Sequence, residues 1–157
     1  MSRPQNPLVR VSSSQHALRV PRKAIAALAA FVARREGVKL AETDIAVVDA
    51  RQIAALNRRY LRHAGPTDVI SFDLGSPGGP VEAQIIVCAD VAVREARRRG
   101  LAPTRELLLY VVHGLLHVMG YDDQTLEAAA VMAERQELLL QEFLHRGDRK
   151  ERREDRK

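Results

Sequence analysis

The stretch that decides the fold is Tyr110-Val-Val-His-Gly-Leu-Leu-His-Val-Met-Gly-Tyr-Asp-Asp123, an apolar run interrupted by two histidines. His113 and His117 are four residues apart, so in an α-helix both imidazoles lie on one face, one turn apart. The residues from Leu107 to Met119 are apolar on all sides, which predicts a buried central helix. Gly120 predicts the end of that helix, because a residue without Cβ enters the left-handed region most easily.

Two imidazoles at this spacing can bind one divalent metal ion, and zinc is the usual ion. A carboxylate of the returning chain, Asp122 or Asp123, could supply a third ligand and leave an open position, as in catalytic zinc sites. The alternative is that both histidines are core residues bonded to backbone carbonyls. A metal is favoured because it satisfies two imidazoles that are otherwise costly to bury.

Gly114 lies between the two histidines, in the interior of the predicted helix. Glycine costs about 1 kcal/mol relative to alanine at such a position. We therefore expect another part of the chain to pack where its side chain would be.

The chain has 157 residues, 46% of them hydrophobic and 29% charged, which is typical of one soluble globular domain. Its net charge of +5 favours a nucleic-acid partner. More than half of that charge comes from residues 146–157. We expect these residues to be a charged, disordered tail on a single domain that spans residues 1–145. Residues 1–7, at the start of that domain, are expected to have no fixed structure. The single cysteine, Cys88, predicts a small buried residue and is compatible with a reducing cytoplasm. No segment resembles a membrane span or a signal peptide, so we expect a cytoplasmic protein without a membrane partner.

The apolar periodicity predicts an α+β fold, with a small mixed β-sheet, packed helices and a central buried helix that carries the His-x-x-x-His site. The predicted strands cover 8–11, 45–48, 67–72 and 81–88. The predicted helices cover 21–35, a segment capped by Asp49, 90–99, a segment opening at Pro103, and 125–144.

The motif from His113 to Asp122 resembles the signature His-Gly-x-Leu-His-x-x-Gly-Tyr-Asp-His of the YbeY family, bacterial zinc-dependent endoribonucleases of ribosomal RNA maturation. The last histidine of that signature is replaced here by Asp123, which is an acceptable zinc ligand. The resemblance covers roughly residues 44–144. It implies one zinc ion per chain, held by His113, His117 and Asp123, with Asp122 as the alternative third ligand.

A second block, Pro66-Thr-Asp-Val-Ile-Ser-Phe72, is similar to the family pattern Pro-Thr-Asp-Val-x-Ser-Phe. Three positions depart from the family: Leu61 stands where an arginine is usual, Ala64 where an aspartate is usual, and Gln84 where an acidic residue is usual. The family arginine is expected to contact substrate. We expect Arg62 to take over that role, and Arg59 and His63 are the other candidates.

The resemblance implies a single-strand-specific endoribonuclease of ribosomal RNA processing, acting in 3′-end maturation of the small-subunit RNA and in ribosome quality control. A zinc-activated water would hydrolyse the phosphodiester. Its partners would be single-stranded or ribosomal RNA and the small ribosomal subunit or its proteins. The predicted catalytic residues are His113, His117, Asp122 and Arg62, where Asp122 orients a histidine or carries a proton.

Two other functions are weighed against this one. A zinc peptidase is disfavoured, because position 114 is glycine and not the glutamate of His-Glu-x-x-His. A non-catalytic factor bound to RNA or the ribosome, with a structural zinc, is the alternative. A structural zinc needs a fourth protein ligand, for which the sequence offers Cys88, His63 or His16.

Overall fold

A computed structural model gives the structure of residues 8–156. The predicted unfixed start at residues 1–7 lies outside this range. The strands are β1 (Val9–Ser13), β2 (Leu40–Val48), β3 (Val69–Asp73) and β4 (Val81–Cys88). The helices are α1 (Arg22–Glu36), α2 (Ala50–Leu56), α3 (Ala89–Arg99), α4 (Pro103–Val118) and α5 (Leu126–Glu154), and a π-helical turn (Asn57–Leu61) continues α2.

The four strands form one mixed sheet in the order β1-β2-β4-β3. The pairs β1–β2 and β2–β4 are parallel, whereas β3 runs antiparallel to β4. The α+β class and the mixed sheet are therefore confirmed. None of the helices within residues 8–156 is long and apolar enough to cross a membrane.

Helix α4 is the buried centre of the domain, as the apolar run predicts. It contacts the sheet through β3 and β4 and also packs against α1, α3 and α5. A Cβ atom at Gly114 would lie 2.8 Å from Cγ2 of Ile85 and 3.1 Å from Cγ2 of Val69. The glycine therefore allows α4 to lie directly on the sheet, which confirms the expected close approach.

Two predicted boundaries were wrong by five residues or more, whereas the others differ by at most two residues. Strand β2 begins at Leu40 and not at residue 45. Its first half carries exposed polar side chains, so a prediction based on runs of apolar residues does not detect it. Helix α5 continues to Glu154 and not to residue 144, so the segment predicted to be disordered is helical. Arginine, lysine and glutamate are good helix formers, and the guanidinium of Arg146 lies over the Phe31 ring, 5.5 Å from its centroid.

Candidate metal centre

The end of α4 turns the chain back toward its own last turn. Gly120 has φ +108°, and its N–H donates to the carbonyl of His117 at 3.1 Å. The N–H of Tyr121 donates to the carbonyl of Leu116 at 3.0 Å, so the helix closes with a Schellman motif. The prediction that Gly120 ends the helix is confirmed, and the turn brings Asp123 beside the histidines.

His113, His117 and Asp123 each offer one ligand atom, and the three atoms lie within 4.8 Å of one another. Nε2 of His117 is 3.5 Å from Oδ2 of Asp123, and the two imidazole centroids are 4.7 Å apart. Ligand atoms of a tetrahedral zinc site are roughly 3.4 Å apart, given zinc–nitrogen distances near 2.1 Å. Small side-chain rotations bring the set to that spacing, so these donors fit a zinc ion.

The orientation of His113 is set by Gln136 of α5. Because Oε1 of Gln136 only accepts, Nδ1 of His113 donates to it at 2.8 Å, and in the neutral imidazole Nε2 is then the nitrogen with the free lone pair. Second-shell acceptors of this kind fix the tautomer of a metal-binding histidine and increase its basicity. The sequence pattern of α4 gave no signal of this contact, because Gln136 lies on another helix.

Asp122 occupies a different position from the one expected of a ligand. Its Oδ1 accepts a hydrogen bond from the N–H of Gln124 at 3.2 Å, and its side chain is not part of the cluster around the histidines. The orienting contact that we predicted for Asp122 is made to His113 by Gln136. Asp122 thus shapes the turn that carries Asp123, and its role in proton transfer stays a prediction.

A second set of contacts holds the loop that follows α4 and carries Asp123. The hydroxyl of Tyr121 donates to Oε2 of Glu36 at 2.9 Å, and Nε of Arg135 donates to Oε1 of the same carboxylate at 2.7 Å. Burial and the Glu36 carboxylate raise the pKa of the Tyr121 phenol, so it stays a donor. The hydrogen bond to Glu36 also raises the pKa of Arg135. Glu36 therefore ties the loop to α1 and α5.

The cluster faces an open cleft of about 450 Å³ between the end of α4 and the entrance of β3. Leu61 lines this cleft, whereas Arg62 does not. Arg62 follows the π-helical turn with φ +56°, and its side chain is exposed. Arg59 lies over the Tyr60 ring, 5.3 Å from its centroid. That Arg62 contacts substrate stays a prediction.

Two basic side chains of α3 line a second cavity beside His113, which the sequence did not indicate. This cavity has a volume of about 400 Å³, begins at His113 and is lined by Arg94 and Arg99. It shares Thr67 and Asp68 with the cleft, so the two cavities form one groove that passes His113.

Within residues 8–156 the metal-ligand cluster has three members, and none of the proposed fourth ligands joins it. Cys88 is fully buried, which confirms the prediction of a buried residue, and burial raises the pKa of its thiol. His63 and His16 are exposed and lie outside the cluster. Three potential protein ligands at an open cleft match the arrangement of a catalytic metal site.

Known proteins that are similar to this chain match it over most of its length. The family model described as Endoribonuclease YbeY matches residues 10–144. An endoribonuclease YbeY of Chlorobium luteolum is 40% identical over 112 residues, which cover 71% of this chain and 81% of the relative. One of Micrococcus luteus is 35% identical over 142 residues, or 85% and 90% of the two chains. The solution structure of TM1509 from Thermotoga maritima has the same fold, with a TM-score of 0.63, 24% identity, and coverage of 91% of this chain and 93% of that one.

Proposed function

The chain belongs to the YbeY endoribonuclease family, and from this premise we propose that it is a zinc-dependent endoribonuclease that cuts single-stranded RNA. We propose ribosomal RNA as its substrate, at the 3′ end of the small-subunit RNA, in maturation and in ribosome quality control. The small ribosomal subunit or its proteins would then be its partner.

The observation that carries this proposal is the three-ligand cluster of His113, His117 and Asp123 at an open cleft. The side chains of His117 and Asp123 are 28% and 51% exposed, so a substrate phosphate can reach the ligand atoms. When bound, zinc supplies Lewis-acid catalysis and an acidified water as the nucleophile.

Residues around the cluster prepare the ligands for this role. Gln136 keeps the proton of His113 on Nδ1 and so presents Nε2 to the cleft. Glu36 holds Tyr121 and thereby the loop that carries Asp123. The binding geometry is thus fixed by contacts with α1 and α5 and not by α4 alone.

The groove favours a flexible strand over a duplex. The ligand atoms line a cleft between α4 and β3, and a single strand can bend to place its phosphate against them. An A-form duplex is more rigid and hides its bases in a deep, narrow major groove. Leu61 supplies no charge where the family has arginine, so we expect slow turnover.

A direct test uses a labelled single strand that matches the precursor 3′ end of small-subunit ribosomal RNA, run beside its duplex. We expect cleavage of the single strand, loss of cleavage with a chelator, and weaker binding as salt rises, because phosphate contacts release counterions. His117→Ala is the control for a contaminating nuclease. If this variant cuts as fast as the unmodified protein, the activity lies elsewhere. If the protein binds the strand without cutting it, a non-catalytic RNA-binding role replaces the proposed activity.

A further inference from the structure

The metal-binding face of α4 carries two polar side chains that the metal centre does not use. Glu106 and Tyr110 precede His113 and His117 on one stripe of the helix, at spacings of four, three and four residues. Both are buried, and Glu106 is only 1% exposed. Both line the cavity that begins at His113.

Glu106 has an unused hydrogen-bond acceptor. Its Oε1 is buried and has no hydrogen-bond partner within residues 8–156. Nη1 of Arg99 forms an ion pair with this oxygen at 3.6 Å, a distance that is too long for a hydrogen bond. An unsatisfied buried acceptor is costly and requires an explanation. A ligand with an N–H donor in this cavity would satisfy it.

The charges around the cavity indicate which ligand fits. Asp68, Glu95 and Glu106 contribute three acidic groups, against the two guanidinium groups of Arg94 and Arg99. Arg98 pairs with Glu95 at 2.7 Å, so the carboxylates left to face a ligand are those of Asp68 and Glu106, which would repel a phosphate group. A neutral ring with N–H donors suits them better, since carboxylates only accept hydrogen bonds.

The cavity is also suitable in size and position. Its volume of about 400 Å³ is within the range of small-ligand pockets. It shares Thr67, Asp68 and His113 with the metal cleft. A nucleotide next to a phosphate at the metal would therefore have its base at this cavity. Burial and the Glu106 carboxylate raise the pKa of Tyr110, so its hydroxyl stays protonated at the same wall.

We propose that this cavity is a nucleobase subsite, in which Glu106 accepts hydrogen bonds from the Watson–Crick edge of the base beside the scissile phosphate. The proposal rests on the proposed RNA substrate. Guanine is the preferred base, because its N1–H and N2 amino group are adjacent donors. Uracil is the poorest, because its single N–H lies between two carbonyl oxygens that the carboxylate repels. Arg94, exposed at the same cavity, contacts the strand's phosphates.

The test compares binding of three labelled oligouridine strands: one unmodified, one with a single guanosine, and one with inosine in its place. The fluorescence anisotropy of each labelled strand is measured as the full chain is added, and the protein retains the metal that it carries after purification. The strands are checked afterwards to be intact. We expect the guanosine strand to bind about tenfold more tightly than the all-uridine strand. Inosine lacks the N2 amino group, so its strand should bind with intermediate affinity.

Two variants separate base recognition from general binding. Glu106→Met keeps the side-chain length but removes both the acceptor and its repulsion of the uracil carbonyl oxygens, so we expect the affinities for the guanosine and uridine strands to become equal. Arg94→Gln should weaken binding of both strands and leave their ratio unchanged. Equal binding of all three strands by the unmodified protein, or a guanosine preference that survives Glu106→Met, overturns the subsite.

The binding comparison can be interpreted whether or not the protein cleaves RNA and whether or not Glu106→Met folds. The inosine comparison uses the unmodified protein, so it decides the question even if Glu106→Met does not fold. A guanosine preference without any cleavage would refute the proposed activity and leave the subsite standing. Cleavage without a guanosine preference would refute the subsite alone.

Discussion

Replacement of Gln136 by methionine tests how the metal centre is held. The variant keeps the length of the side chain but removes the Oε1 that accepts from Nδ1 of His113 at 2.8 Å. The imidazole can then rotate and carry its proton on either nitrogen. Loss of such a partner typically weakens metal affinity 10–100-fold, or about 1.4–2.8 kcal/mol. Competition for zinc with a chromogenic chelator measures this change directly.

Two further variants of α5 make the result specific. Gln136→Glu keeps an acceptor and adds a negative charge, so it should bind zinc at least as tightly as the unmodified protein. Gln141→Met places the same substitution on an exposed part of the same helix and should have no effect. The reasoning is refuted if Gln136→Met retains the original zinc affinity, or if Gln141→Met loses as much affinity as Gln136→Met does.

Three other changes have expected outcomes. Gly114→Ala should destabilise the domain by roughly 1–2 kcal/mol in denaturant unfolding, because its Cβ would meet a methyl of Ile85 at 2.8 Å and overpacking outweighs the gain in helix propensity; an unchanged midpoint would contradict the packing. Asp123→His should bind zinc more tightly in chelator competition, since imidazole is a good neutral ligand and has a longer reach than aspartate; weaker binding would mean that Asp123 is not the third ligand. Deletion of residues 147–157 should leave the thermal midpoint nearly unchanged. A deletion that also removes Arg146 should cost about 0.5–1 kcal/mol, because it removes the cation–π contact with Phe31. A large drop in the midpoint after the first deletion would show that residues 147–157 pack against the rest of the domain.

The sequence determined the features that depend on neighbours along the chain. The spacing of His113 and His117 places both imidazoles on one helical face, and the apolar residues around them bury that helix. Gly120 ends the helix because the turn requires a residue with positive φ. Asp123 follows three residues later, so the local geometry of this turn is enough to place it beside the histidines. The close approach at Gly114 was likewise visible, since an interior glycine is unfavourable unless something packs against it.

The tertiary structure decided which distant side chains complete the site. Gln136 is 23 residues from His113, and Glu36 is 85 residues from Tyr121 and 99 from Arg135. Helical periodicity gives the direction of a side chain relative to its own helix but not the partner that packing places against it. The same limit applies to the basic side chains: Leu61 lines the cleft but Arg62 does not, and packing of α3 brings Arg94 and Arg99 to the second cavity at His113.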